Sequence, residues 1–167
     1  LTFYRSSEIL EEFVAVDINS IDYVNAEFVK EVPNQNLHSK SGYELVILSH
    51  PDFLSEANRL ADIHEEHDGV NVLVVTPEQI YNEYSSGTPD ATAIRLFMRQ
   101  IYESNDKANT YLLLMGDGSF DNRALLRTSS TTINNYLLTY QGGSTYDESA
   151  TYTTDDYFGM VAPEAFQ

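Results

Sequence analysis

Tyr111-Leu-Leu-Leu-Met115-Gly116-Asp117-Gly118-Ser119-Phe120-Asp121-Asn122 is the stretch whose reading decides the fold. Its five leading apolar residues run continuously rather than alternating, which suits a parallel strand covered on both faces. The run then breaks on two glycines flanking a carboxylate, with a second carboxylate at Asp121. Open α/β sheets place their ligands outside the carboxyl ends of strands, on loops where the backbone turns sharply.

Working outward, two similar units precede this strand. Leu45-Val-Ile-Leu48 is an aliphatic run ending at Ser49-His50-Pro51. Pro51 and Asp52 open a helical pattern in which Leu54, Ala57, Leu60, Ala61 and His64 follow three- and four-residue spacing, and Gly69 stops it. Val70 and Val72-Leu-Val-Val75 predict the next strand, after which Thr76 and Pro77 cap a short helix from Glu78 to Tyr84. Ser85 to Pro89 is a turn cluster. Asp90 caps a further helix with an apolar face of Ala93, Ile94, Phe97, Met98 and Ile101. The result is a βαβαβ succession, hence a three-layer α/β fold on a parallel sheet. Residues 128–151, rich in Ser, Thr and Tyr, read as loops before the aromatic-acidic cluster Tyr152-Thr-Thr-Asp155-Asp156-Tyr157-Phe158-Gly159.

Residues 1–40 behave differently and form an extended β-type lead-in, the end of a preceding β-rich domain; residues 41–167 form the α/β subdomain. Phe13-Val-Ala-Val16 and Ala26-Glu-Phe-Val29 are strand-like, and Pro33-Asn-Gln-Asn36 reads as a linker. The chain starts on Leu1 and stops at Gln167, so a piece of a longer protein is expected.

Bulk composition narrows the function classes. The 167 residues carry 26 acidic against 9 basic side chains, a net charge of −17. Phosphate backbones and anionic membrane surfaces would be repelled, so nucleic acid is excluded as a partner. There is no cysteine, hence no disulfide, thiolate metal site or cysteine nucleophile in this chain. No apolar run reaches the roughly 18 residues that a spanning helix needs, and direct membrane insertion is not expected.

Asp117, Ser119 and Asp121 alternate as oxygen donors, which a loop can curl round a hard cation such as calcium. The run is similar to the metal-dependent adhesion loop Asp-x-Ser-x-Ser, with Asp121 in place of the second Ser, and an adhesion-type binding module is the alternative function. A tight turn whose Asp117 accepts backbone N–H bonds accounts for the same residues. Asp155 and Asp156 are adjacent, so only one can join Asp117 in a site. Of the four histidines, His50 sits at a strand end, whereas His64 and His67 lie on an acidic helix face. No serine occupies a nucleophile-elbow context and no phosphate loop is present.

Several segments together resemble the gingipain-type (C25) cysteine peptidases, including the surface sortases of the type IX secretion system in Bacteroidetes. They are Val32-Pro-Asn-Gln-Asn-Leu-His38, Leu48-Ser-His-Pro-Asp-Phe53, Val75-Thr-Pro-Glu-Gln-Ile-Tyr81-Asn-Glu-Tyr84-Ser-Ser-Gly-Thr-Pro-Asp90, Ala93-Ile-Arg95, Leu113-Leu-Met-Gly-Asp-Gly118-Ser-Phe-Asp121 and Thr153-Thr-Asp-Asp-Tyr-Phe-Gly159. The resemblance implies a caspase-like α/β region in two subdomains, with the catalytic His-Cys dyad in the second. This chain then corresponds to the first subdomain and is catalytically silent on its own. Its partners would be the downstream catalytic subdomain of the same parent and secreted proteins bearing a C-terminal sorting domain. The location implied is the cell surface or outer membrane of a Gram-negative bacterium. No catalytic residue can be carried over, His50 included. Calcium is used by members of the family, without ligands that map onto this chain.

Overall fold

The computed structural model describes residues 17, 19, 27–106, 108–125, 135–142 and 152–162. Two compact units divide at Pro33 and Asn34. In the first, the run Phe13–Val16 lies outside the described residues. Residues 27–33, part of which reads as a strand, have no regular secondary structure. Phe28 and Val29 there are largely exposed, since no neighbouring strand among the described residues pairs with them.

The second unit is built on a parallel sheet of three strands in the order β2-β1-β3: β1 is Leu45–Ser49, β2 is Val72–Val75 and β3 is Tyr111–Met115. Leu45 faces Val72 on one side and Tyr111 on the other, and the register holds along both ladders. As the central strand, β1 must bury both faces. Val46, Ile47 and Leu48 are fully removed from solvent. This demand explains why its sequence is continuously aliphatic.

Alternation along the strands sends successive side chains to opposite layers. Ile47 packs with Ala57 and Ala61 of α1, Leu54–His67. Val46 and Leu48 pack on the other face against Ile80 of α2, Pro77–Tyr84, and Ile94, Phe97 and Ile101 of α3, Ala91–Ser104. The helix expected from Pro51 begins as a single 3-10 turn, Pro51–Phe53, before α1. Gly69, at φ +67, reverses the chain after α1 in the left-handed region that a glycine adopts without strain.

Caps fix the helix starts. Thr76 and Gln79 form a reciprocal capping box: the Thr76 hydroxyl accepts from Gln79 N–H at 3.4 Å, and Gln79 Oε1 accepts from Thr76 N–H at 2.9 Å. Asp90 Oδ1 accepts from Thr92 N–H at 2.8 Å to start α3. All five residues expected on the α3 apolar face are buried.

The tract expected to be loop contains a strand. Tyr140–Gly142, β4, pairs antiparallel with β5, Tyr152–Thr154, and a short helix α4, Asp156–Gly159, follows. No helix among the described residues is long and apolar enough to cross a membrane.

Phe97 has no exposed surface and anchors the larger of the two apolar layers. Truncation in Phe97→Ala should cost about 3–5 kcal/mol, measured as a fall in the urea midpoint at unchanged slope.

Candidate functional site

Because α1 covers one face of the sheet and α2–α3 the other, the crossovers from β1 and into β3 run on opposite sides. The carboxyl ends of β1 and β3 therefore flank the topological switch point, where sheets of this kind open a crevice. Ser49 and His50 stand on one side of it, Met115, Gly116 and Asp117 on the other. His50 N–H donates to Met115 O at 3.2 Å and closes the ladder.

The reactive-looking groups here are occupied structurally. Ser49 is fully buried, and its hydroxyl donates to the His50 carbonyl at 3.0 Å. Nδ1 of His50 accepts from Asp52 N–H at 3.2 Å, capping the 3-10 turn that leads into α1. The imidazole also meets Tyr136 edge-on at 4.9 Å between centroids, and Phe53 at 6.1 Å. His50 thus serves as the cap of this turn and packs against two aromatic rings.

Glycine is demanded twice in the turn after β3. Gly116 has φ +155, and a β-carbon there would lie 3.0 Å from Leu137 Cγ and Tyr136 Cβ. At Gly118 a β-carbon would meet the Leu137 carbonyl oxygen at 2.6 Å, a contact with backbone that no side-chain rotation relieves. The reason is a second loop laid against the first. Asp117 O accepts from Tyr136 N–H at 2.9 Å and Leu137 N–H at 3.1 Å. Asn122 brackets Thr139 with two bonds, Nδ2 donating to Thr139 O at 2.8 Å and Oδ1 accepting from Thr139 N–H at 3.0 Å. Asn135 Nδ2 donates to Asp121 O at 2.6 Å, and Gln141 donates to Phe120 O. Side-chain amides thus stand in for strand partners between the loops.

The three oxygen donors of the turn are engaged in the same construction. Exposed Asp117 accepts from Gly118 N–H at 2.9 Å, Asp121 Oδ1 accepts from Leu125 N–H at 2.8 Å, and Ser119 Oγ donates to Asn135 Oδ1 at 2.5 Å. Among the described residues no three His, Asp or Glu side chains converge as a metal would require. Of the two adjacent acids, Asp155 shares a cavity of about 300 Å³ with Asp117, Thr139 and Thr154, whereas Asp156 lines a neighbouring trough with Asp155. His64 Nδ1 lies 2.5 Å from Asp68 Oδ2 on the exposed face of α1, far in sequence from the turn.

One structural arrangement escapes sequence reasoning. Arg95, buried on α3, donates from Nε to Met160 O at 2.7 Å, and its guanidinium sits 4.6 Å from the Tyr157 ring centroid. Tyr157 in turn stacks flat on Tyr140, centroids 3.6 Å apart and planes 4° from parallel. This three-tier stack joins α3, α4 and the β4–β5 hairpin. The visible signal was a charge inside an otherwise apolar helix face; its partner lies 62 residues away and has no sequence periodicity.

Residues 38–166 match the family model described as peptidase family C25. Among solved structures, the chain is similar to dimeric latent PorU from Porphyromonas gingivalis, with a TM-score of 0.70 and 42% identity over 78% of this chain. The chain spans only 13% of that protein's length. No curated protein matches the chain.

Gly118→Ala should destabilise the unit by about 1–3 kcal/mol, because the Leu137 backbone must move; thermal unfolding measures it. Calorimetry with Ca²⁺ and Mg²⁺ decides the cation reading of the turn. Heat that disappears in Asp117→Ala would establish it, whereas binding that persists in that variant would reflect only the general attraction of a chain of charge −17.

Proposed function

Because the chain belongs to peptidase family C25, we propose that it is the first, non-catalytic subdomain of a cysteine-type peptidase or sortase acting on secreted proteins with a C-terminal sorting domain. The nucleophile then lies in a downstream subdomain of the same parent, at the bacterial cell surface. The absence of any cysteine from the sequence supports this division of labour.

The observation that carries the reading is the outer edge of β3. Among the described residues β3 pairs only with β1. A trough of about 580 Å³ runs beside it, walled by Leu112 and Leu114 on the strand, floored by Met98, and closed by Phe158, Met160 and Val161. Its lining is mainly apolar and its long wall is a strand edge, which is the shape that an added strand fills. The α1 layer also stops short: Tyr111 and Leu113 line a second cavity of about 390 Å³ with Leu45 and Val70. A strand and a helix from the following subdomain would complete both layers. In this arrangement the switch-point crevice, with His50 and Asp117 at its lip, lies on the sheet's carboxyl side, where the completed sheet would present its chemistry.

The test uses the parent protein and the chain separately. The parent should cleave a reporter fused to a sorting domain and lose that activity on thiol alkylation, while the chain alone should show no turnover. Cleavage by the purified chain would sink the assignment, and parent activity that survives alkylation would overturn the cysteine mechanism. Leu112→Lys in the parent should block closure of the trough and reduce the yield of active enzyme more than tenfold, given the roughly 3 kcal/mol involved in placing a charge in an apolar seam.

A further inference from the structure

The tract Gln35-Asn-Leu-His-Ser-Lys40, which reads as the end of a linker, is bolted to the α/β unit at one side chain. Glu83 on α2 points its carboxylate at the amides of a 3-10 turn, Leu37–Ser39. Leu37 N–H donates to both oxygens, at 2.7 Å and 2.8 Å, and His38 N–H donates at 3.1 Å. Gln35 Nε2 adds a bond at 2.9 Å and also donates to Gln79 O at 2.7 Å. Around this centre Leu37 is buried, the His38 ring lies 4.4 Å from that of Tyr84, and Gln100 on α3 donates to Lys40 O at 2.7 Å. Four donations onto a carboxylate whose side chain is only 13% exposed far exceed what an untethered linker makes.

We propose that Glu83 is the bolt of a strap, residues 35–40, which its carboxylate holds onto α2 of the α/β unit. The strap lies wholly within the second compact unit, which begins at Asn34. The physical logic is asymmetry. Ordering six residues costs conformational entropy, and one charged acceptor serving several amides at once offsets it more effectively than separate neutral contacts.

The charge on Glu83 gives the strap its own reporter. Burial pushes its carboxyl upward, but donation from Leu37, Gln35 and His38, with the nearby His38 imidazole, outweighs burial and holds it below the usual glutamate range. The titratable groups in contact are His38 on the strap and, through the ring contact, Tyr84 on α2; α3 presents the uncharged Gln100. A depressed folded-state value means that the strap is fully held above the ordinary glutamate pKa and lets go as pH falls through the lowered one.

Hydrogen exchange and amide NMR on the full 167-residue chain test the proposal with Glu83→Gln, which turns one acceptor oxygen into an NH₂ facing N–H donors. The Leu37 and His38 amides should exchange about tenfold faster or more, while Val46, Ile47 and Leu48 stay unchanged. In the wild type the Leu37 amide shift should titrate below the ordinary glutamate midpoint, and in the variant it should be flat in that range. Unchanged protection at Leu37, or equal acceleration along β1, would overturn the bolt. So would a Leu37 titration that persists in the variant. Gln35→Ala, which leaves the carboxylate in place, should give a smaller acceleration at the same amides.

Discussion

Val46, Ile47 and Leu48 have no water on either side, and that requirement organises the molecule. A central parallel strand can hide both faces only if one helical layer lies above and another below. The layers here are unequal. The α1 side is lined by small residues, Ala57 and Ala61, which bring that helix close to Ile47. The α2–α3 side is built from Ile80, Ile94, Phe97 and Ile101 and forms the larger core. Opposite crossovers then create the switch point, and the turn after β3 is placed at its lip by topology rather than by any reactive group.

That turn shows how position and chemistry can separate. Its glycines and carboxylates look like the rim of an active site. Their contacts instead serve backbone docking: two glycines permit a second loop to approach, and Asn122, Asn135 and Gln141 lace the loops together. The same principle operates at Arg95. A buried guanidinium would be costly alone, and it is satisfied by a carbonyl on one side and a stacked tyrosine pair on the other. A scaffold of this kind contributes stiffness.

Much of this was legible in the sequence because it is local or periodic. Thr76-Pro77 announces its own helix start through a box only three residues long, and the Ala93 to Ile101 face repeats at helical spacing. Three continuous apolar runs specify parallel strands, of which the central one, β1, is buried on both faces and β3 only partly. The β4–β5 pair was not legible, because Tyr140-Gln-Gly142 is too short to alternate, and although Gly142-Gly143 signals a turn, the pairing is held by a ring stack on Tyr157. The strap was not legible for the same reason: Glu83 meets Leu37 across 46 residues, through a side chain that looks like any solvated glutamate on a helix. Interactions between a side chain and distant backbone leave no period to read.

The edge of β3 also bears on how the chain avoids pairing with its own copies. A strand with half-buried leucines and, among the described residues, an outer edge without a partner strand is a template for any extended segment, including the same strand of a second copy. Nothing along Tyr111–Met115 carries a charge or a proline to discourage that pairing. The deterrent is global: copies that each carry −17 repel one another before their edges meet. Such repulsion fades over about 8–10 Å at physiological ionic strength, so salt sets how readily two copies meet edge to edge. The acidic surface thus protects a seam that the strand's own side chains leave open.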